Sequence, residues 1–126
     1  MILADTSIVI DFFRGANPNL QRIVIDEPAA ICGITRSEAL HGARSPQERA
    51  TIFAGLELFK QVSIVDSDWD EVGDLSASLR SAGVAVPMAD AIITSVALTR
   101  GLALWTRDAQ FALIRRAAPT LQLYVS

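Results

Sequence analysis

Four acidic residues, Asp5, Glu38, Asp90 and Asp108, stand at comparable places along the chain, each just after an apolar run or near the start of a helix. The sequence holds fourteen Asp and Glu in all, so an acid by itself signifies little. What singles out these four is position: in sheets wired strand–helix–strand, ligands bind beyond the carboxyl ends of the strands, at the point where the strand order reverses. Asp5 ends the run Ile2-Leu3-Ala4, and Asp108 lies three residues past Leu102-Ala103-Leu104-Trp105. If those two strands are neighbours, both carboxylates face one crevice. Glu38 and Asp90 are expected in the first turns of their helices, projecting to the same end. Four gathered carboxylates repel one another, and burying several anions costs many kcal/mol unless a cation holds them together. Oxygen-only donors with open positions suit Mg²⁺, with Mn²⁺ able to replace it, rather than zinc. The chemistry of such a centre is phosphodiester hydrolysis, in which the metal activates water and stabilises the leaving oxygen.

Each residue also has a simpler explanation. Asp5 can be a helix cap. Glu38 and Asp90 can complement helix dipoles, and Asp108 can cap the last helix while still serving as a ligand. Asp11 and the group Asp66, Asp68, Asp70, Glu71 and Asp74 read as caps and solvated faces and are not assigned to the site. Thr6, Ser7 and Thr106 are hydroxyls beside proposed ligands, able to orient a carboxylate or a metal-bound water, although turn hydrogen bonding accounts for them equally well. Arg14, Arg36 and Arg107 lie where they can meet phosphates, but arginines at helix ends are usually solvated. Trp105 reads as strand packing. The single histidine, His41, excludes a nuclease that pairs two imidazoles and any histidine-rich metal centre.

The elements that must carry these residues follow from periodicity and turn signals. Ser7 is read as the cap of a helix running to Gly15, Leu20 to Asp26 as a second helix, and Ala29 to Cys32 as a buried strand. Thr35 is read as the cap of a helix over Arg36 to Ala43. A helix over Pro46 to Gln61, a strand Val62 to Val65 and a helix Asp66 to Ala82 follow. The remainder reads as an apolar helix Ala89 to Arg100, a strand Leu102 to Trp105, a helix Asp108 to Arg116 and a strand Leu121 to Val125. Strands alternating with helices imply an α/β fold, a parallel sheet between two helix layers. No repeat, linker or low-complexity tract interrupts the chain.

At 126 residues, one domain over 1–126 is expected. Hydrophobic residues make up 51% and mean hydropathy is +0.34, too apolar for disorder and greasy enough to suggest a covering partner. The lone Cys32 excludes an internal disulfide and a cysteine-rich zinc site, which fits a reducing compartment. The N-terminus lacks the basic start and apolar core of a signal peptide, and no run approaches a membrane span, so a cytoplasmic location without membrane contact is expected. A net charge of −3 and pI of 5.0 argue against broad electrostatic grip on nucleic acid, unless metal neutralises the acids locally.

The segments Ile2-Leu3-Ala4-Asp5-Thr6-Ser7-Ile8-Val9-Ile10-Asp11, Arg36-Ser37-Glu38-Ala39-Leu40-His41-Gly42-Ala43, Ala89-Asp90-Ala91-Ile92-Ile93 and Trp105-Thr106-Arg107-Asp108-Ala109-Gln110-Phe111 resemble the PIN-domain family, VapC-type toxins of bacterial type II toxin–antitoxin pairs in particular. Each motif alone is weak; four in order along the whole chain are specific. The resemblance implies a three-layer α/β/α fold with a five-stranded parallel sheet of order 3-2-1-4-5. It implies that Asp5, Glu38, Asp90 and Asp108 are the metal-binding acids and that Thr106 is the hydroxyl beside the last of them. It further implies an Mg²⁺-dependent endoribonuclease, with RNA as substrate, a VapB-like antitoxin as partner and a homodimer as the assembly. Two other readings use the same residues: a PIN-like binding module without activity, and a metal nuclease directed at DNA. A phospho-acceptor signalling domain needs a lysine after a late strand, and the only lysine is Lys60.

Overall fold

The computed structural model describes residues 1–15 and 17–125. Its elements in chain order are β1 (Ile2–Ala4), α1 (Thr6–Arg14), α2 (Pro18–Asp26), β2 (Ala29–Cys32), α3 (Gly33–His41), α4 (Pro46–Leu56), β3 (Lys60–Val62), α5 (Asp66–Ser81), α6 (Met88–Arg100), β4 (Ala103–Trp105), α7 (Gln110–Ala117) and β5 (Leu123–Tyr124). All pairings in the sheet are parallel and the strand order is β3-β2-β1-β4-β5. The chain leaves β1 in one direction to build β2 and β3 and in the other to build β4 and β5. The switch point therefore falls at β1 and β4, where Ala4 pairs with Trp105.

Alternation along the strands divides the core in two. Ile2 and Ala4, Ala29 and Ile31, and Trp105 join one apolar cluster with Ile8, Val24 and Leu56. Their neighbours Leu3, Ala30, Cys32 and Leu104 join the opposite cluster with Leu79, Ile93, Phe111 and Ile114. Because both faces are covered, the central strands are apolar at every position, as a parallel sheet between helix layers requires. Burial of each such aliphatic side chain is worth roughly 1.5–3 kcal/mol. Among the described residues no helix is long and apolar enough to cross a membrane.

Several boundaries differ from the sequence expectation. The cap of α1 is Asp5 rather than Ser7: the Asp5 side chain accepts the Ile8 N–H, and Gly15 closes the helix at φ 66°. That left-handed conformation favours glycine because it carries no Cβ. Helix α2 begins at Pro18, with Asn17 as its cap. Helix α3 begins at Gly33, directly after β2 and without a side-chain cap, and Thr35 is buried inside its first turn. Helix α4 stops at Leu56, and β3 occupies Lys60–Val62 rather than 62–65. Edge strand β3 is held in register by β2, where Ala30 pairs with Lys60 and Cys32 with Val62. Helix α7 starts at Gln110, and β5 is confined to Leu123–Tyr124.

Candidate active site

Asp5 leaves the carboxyl end of β1 with its backbone N–H bonded to the Trp105 carbonyl at 3.0 Å, so the β1–α1 and β4–α7 turns lie against each other. The side chain is buried, 4% exposed. One carboxylate oxygen, Oδ1, accepts from Ser7 Oγ at 2.6 Å and from the Ile8 N–H at 3.2 Å. The other, Oδ2, accepts from the Thr106 hydroxyl. Both oxygens of the Asp5 carboxylate are therefore held by hydrogen bonds from the two adjoining turns. Burial pushes its pKa above the ordinary carboxylate value, with the Ser7 and Thr106 hydroxyls pulling in the opposite direction.

Thr106 is the joint between the two ends of the quartet. While donating to Asp5 it accepts the Asp108 backbone N–H at 2.9 Å. Ser7 makes a second joint, donating to Asp5 and accepting the Arg107 N–H at 2.9 Å. The Asp108 carboxylate is exposed, and its Oδ1 accepts the Gln110 N–H at 2.9 Å, a turn that prepares the start of α7.

Glu38 stands in the second turn of α3, not the first, because the helix starts three residues earlier than its cap signal suggested. Its Oε1 accepts the Thr6 hydroxyl at 2.6 Å, which ties α3 to the first residue of α1. Asp90 does lie in the first turn of α6. Its pKa is raised first by burial and then by the negative charges of Asp108, Asp5 and Glu38. Asp90 thus lies within electrostatic reach of each of the other three acids.

The quartet converges as charge rather than as a closed cage: among the described residues, no three Asp, Glu, His or Cys side chains are gathered tightly enough to grip an ion as they stand. The donor set still fits a hard divalent cation. It consists of carboxylate oxygens braced by hydroxyls, and its mutual repulsion is the kind a cation relieves.

Among the arginines, Arg36 turns to Glu57 at 3.0 Å and stacks 5.0 Å over the Phe53 ring. Arg107 pairs with Asp11 at 3.4 Å beside the site. Arg14 and His41 are exposed, and Trp105 is buried, edge-on to Tyr124. Sequence reasoning named Ser7 as able to orient a carboxylate, but it did not anticipate the second bond of Ser7, to Arg107, or the Asp11–Arg107 pair. The Ser7–Asp5 bond had a signal, a hydroxyl two residues after the acid, the spacing of a local side-chain turn.

Comparisons with known proteins agree with this architecture. No curated protein matches the chain. Among solved structures, a chain of the DNA-bound VapBC from Salmonella typhimurium superposes with a TM-score of 0.84 at 20% identity, covering 98% of each chain. A chain of VapBC2 from Rickettsia felis, bound to a promoter DNA fragment, gives 0.82 at 19% identity and 98% coverage of each. A toxin–antitoxin complex from Klebsiella pneumoniae gives 0.72 at 26% identity, covering 89% of this chain and 91% of that one. The pattern of the PIN domain family matches residues 2–117, nearly the whole of the sheet and its helices, and the chain belongs to that family.

Proposed function

We propose that this chain, one domain over 1–126, is a divalent-metal-dependent endoribonuclease acting as the toxin of a toxin–antitoxin pair in the cytoplasm. The reading is carried by the Thr106 hydroxyl, which joins Asp5 to the Asp108 turn beyond the carboxyl ends of β1 and β4, with Glu38 tied to the same end of the sheet through Thr6 and Asp90 within electrostatic reach of all three. Asp5, Glu38, Asp90 and Asp108 would hold the cation, Mg²⁺ by the hardness of the donors, with Mn²⁺ able to replace it. When bound, the cation supplies neutralisation of the scissile phosphate and acidification of a water.

The rest of the work falls to the protein. Ser7, Ile8 and Thr106 fix the orientation of the Asp5 carboxylate. Thr6 holds Glu38 at a set rotamer. Thr106 ties the Asp5 carboxylate to the backbone of Asp108, which fixes the two turns against each other. No imidazole pair is available for acid–base cleavage through the 2′-hydroxyl, since the chain has a single histidine. The favoured route is attack by water, leaving 5′-phosphate and 3′-hydroxyl ends.

An antitoxin partner is supported by an apolar groove of about 460 Å³ between α1, α3 and α4, floored by Val9, Phe13 and Ile52 with Arg14 and Arg44 at its rim. The solved relatives named above come from VapBC and toxin–antitoxin assemblies, and we extend a VapB-like partner to this chain on that basis. A homodimer is supported by Val65, Trp69 and Met88, apolar side chains exposed by 50% or more. Incubating wild type and Asp5→Asn with single-stranded RNA in Mg²⁺ and in EDTA tests the proposal. Cleavage by wild type in Mg²⁺ alone is expected; equal cleavage in EDTA, or by Asp5→Asn, contradicts it. Parallel incubation with DNA separates the two nuclease readings.

A further inference from the structure

The acidic site opens onto a second feature that the quartet does not explain. A cavity of about 280 Å³ is lined by Thr106 and Asp108 on one side and by Ala112 and Leu123 on the other. Ala112 and Leu123 also line an adjoining depression of about 420 Å³ whose far wall carries Arg115 and Arg116. The two together form a trough that starts at the proposed reaction centre and runs along the seam between α7 and edge strand β5. Its floor is apolar and its far end is cationic.

Both arginines are exposed and, like Arg14, Arg44, Arg49 and Arg80, make no ion pair among the described residues; what sets them apart is their place, side by side on the wall of this trough. In a chain of net charge −3, two adjacent unneutralised guanidinium groups at the end of a trough leading from a phosphodiester-cutting site are a local reversal of sign. Guanidinium groups match phosphate oxygens in planar, two-pronged fashion. An apolar floor next to such a grip suits the face of a nucleobase, which stacks or packs without regard to sequence. The helix dipole gives Arg115 and Arg116 a simpler role, since they sit in the last turn of α7. That role predicts an effect on stability and none on RNA.

Resting on the nuclease reading above, we propose that this trough is a subsite for single-stranded RNA. It takes the nucleotide flanking the scissile phosphate, with the base over Ala112 and Leu123 and the next phosphate on Arg115 and Arg116. The trough supplies the nucleic-acid grip that the overall acidic charge denies the molecule, and confines it to one side of the site.

The test is fluorescence anisotropy of a labelled single-stranded RNA dodecamer in EDTA across a salt series, with melting temperatures taken in parallel. Arg115→Ala/Arg116→Ala is expected to weaken binding by about tenfold and to flatten the salt slope by about 0.7, the value for the one phosphate the pair holds. Ala112→Trp, an exposed helix position at the junction of the two depressions, is expected to weaken binding comparably while the protein stays folded. Arg22→Ala/Arg49→Ala removes the same charge from the opposite helix layer and is expected to leave affinity within about twofold. Wild type that does not bind the RNA, trough variants that bind like wild type, or a control that loses as much, overturns the proposal. In Mg²⁺ the same variants should raise KM with kcat retained. RNA held in the trough without any cleavage would remove the nuclease reading and keep the subsite. Cleavage with unchanged KM in both trough variants would do the reverse.

Discussion

The Thr106 hydroxyl is shared between two acids that lie 103 positions apart in the chain: it donates to Asp5 Oδ2 and accepts the backbone N–H of Asp108. Neither contact is available to a methyl group. Thr106→Val should therefore leave the fold intact and lower Mg²⁺-dependent cleavage by roughly 10–100-fold, the usual cost of losing a group that orients a ligand. Thr106→Ser keeps the hydroxyl and should retain most activity. Steady-state rates of the two variants, with melting temperatures to verify folding, check this.

Repulsion within the quartet makes a second prediction about the metal-free protein. Asp90 is the acid whose pKa is raised by Asp108, Asp5 and Glu38 after burial, and among the described residues its carboxylate has no hydrogen-bonded partner to lose. Asp90→Asn should melt higher than wild type in EDTA, by roughly 2–4 °C for each kcal/mol of repulsion removed. It should also respond less to added Mg²⁺, because a ligand that binds only the folded state stabilises in proportion to its affinity. Melts of both proteins across a magnesium series decide it; a lower melting point for Asp90→Asn in EDTA counts against the quartet.

The opposite sign holds at the far end of α6. Asp68 accepts from both Arg100 guanidinium nitrogens, at 2.6 and 2.8 Å, and from the Val65 N–H, and its pKa is lowered to about 2. A carboxyl whose folded pKa lies below its unfolded value of about 4 contributes stability above that value and loses it as pH falls toward the folded pKa. Asp68→Asn should melt lower than wild type at neutral pH, and the gap should close between about pH 4 and pH 2. The Asp90 term runs the other way: with its folded pKa raised, the stability it permits is full below about pH 4 and declines as pH rises through the folded value. Thermal melts from pH 2 to 7 in EDTA separate the two.

The placement of Asp5, Asp90 and Asp108 was legible in the sequence because each follows a strand or opens a helix, and those boundaries are written locally. The finer geometry of the site was not. Three residues in a row, Asp5, Thr6 and Ser7, can cap α1, and Asp5 does so because β1 ends there and the Ile8 N–H falls within its reach. Glu38 moved to the second turn because α3 runs straight out of β2 without a cap, so Thr35, a capping residue by type, is buried instead. Strand β3 was displaced toward Lys60 because pairing to Ala30 and Ile31 outweighs the apolar pattern of Val62 to Val65. The Asp68–Arg100 pair joins residues 32 positions apart and has no local signature; Asp68 read only as one of five acids at a helix start.

The order of the sheet was implied by the family resemblance and agrees with the structure, β3-β2-β1-β4-β5. Alternation alone dictates only that the sheet is parallel and covered on both faces. The neighbouring of β1 and β4, on which the Asp5–Asp108 relation depends, required the topology.

The measurement that bears most directly on the account is the chemistry of the cut ends. An end-labelled single-stranded RNA should be cleaved by the wild-type protein in Mg²⁺, the products resolved, and their termini tested with phosphatase and with a ligase that requires a 5′-phosphate. A carboxylate-held cation directing water at the phosphorus predicts 5′-phosphate and 3′-hydroxyl termini, and no product when EDTA is present or when Asp5 is changed to Asn. A 2′,3′-cyclic phosphate would mean that the 2′-hydroxyl is the nucleophile, and undiminished cleavage in excess EDTA would mean that the four acids do not form a metal centre; either result contradicts the account.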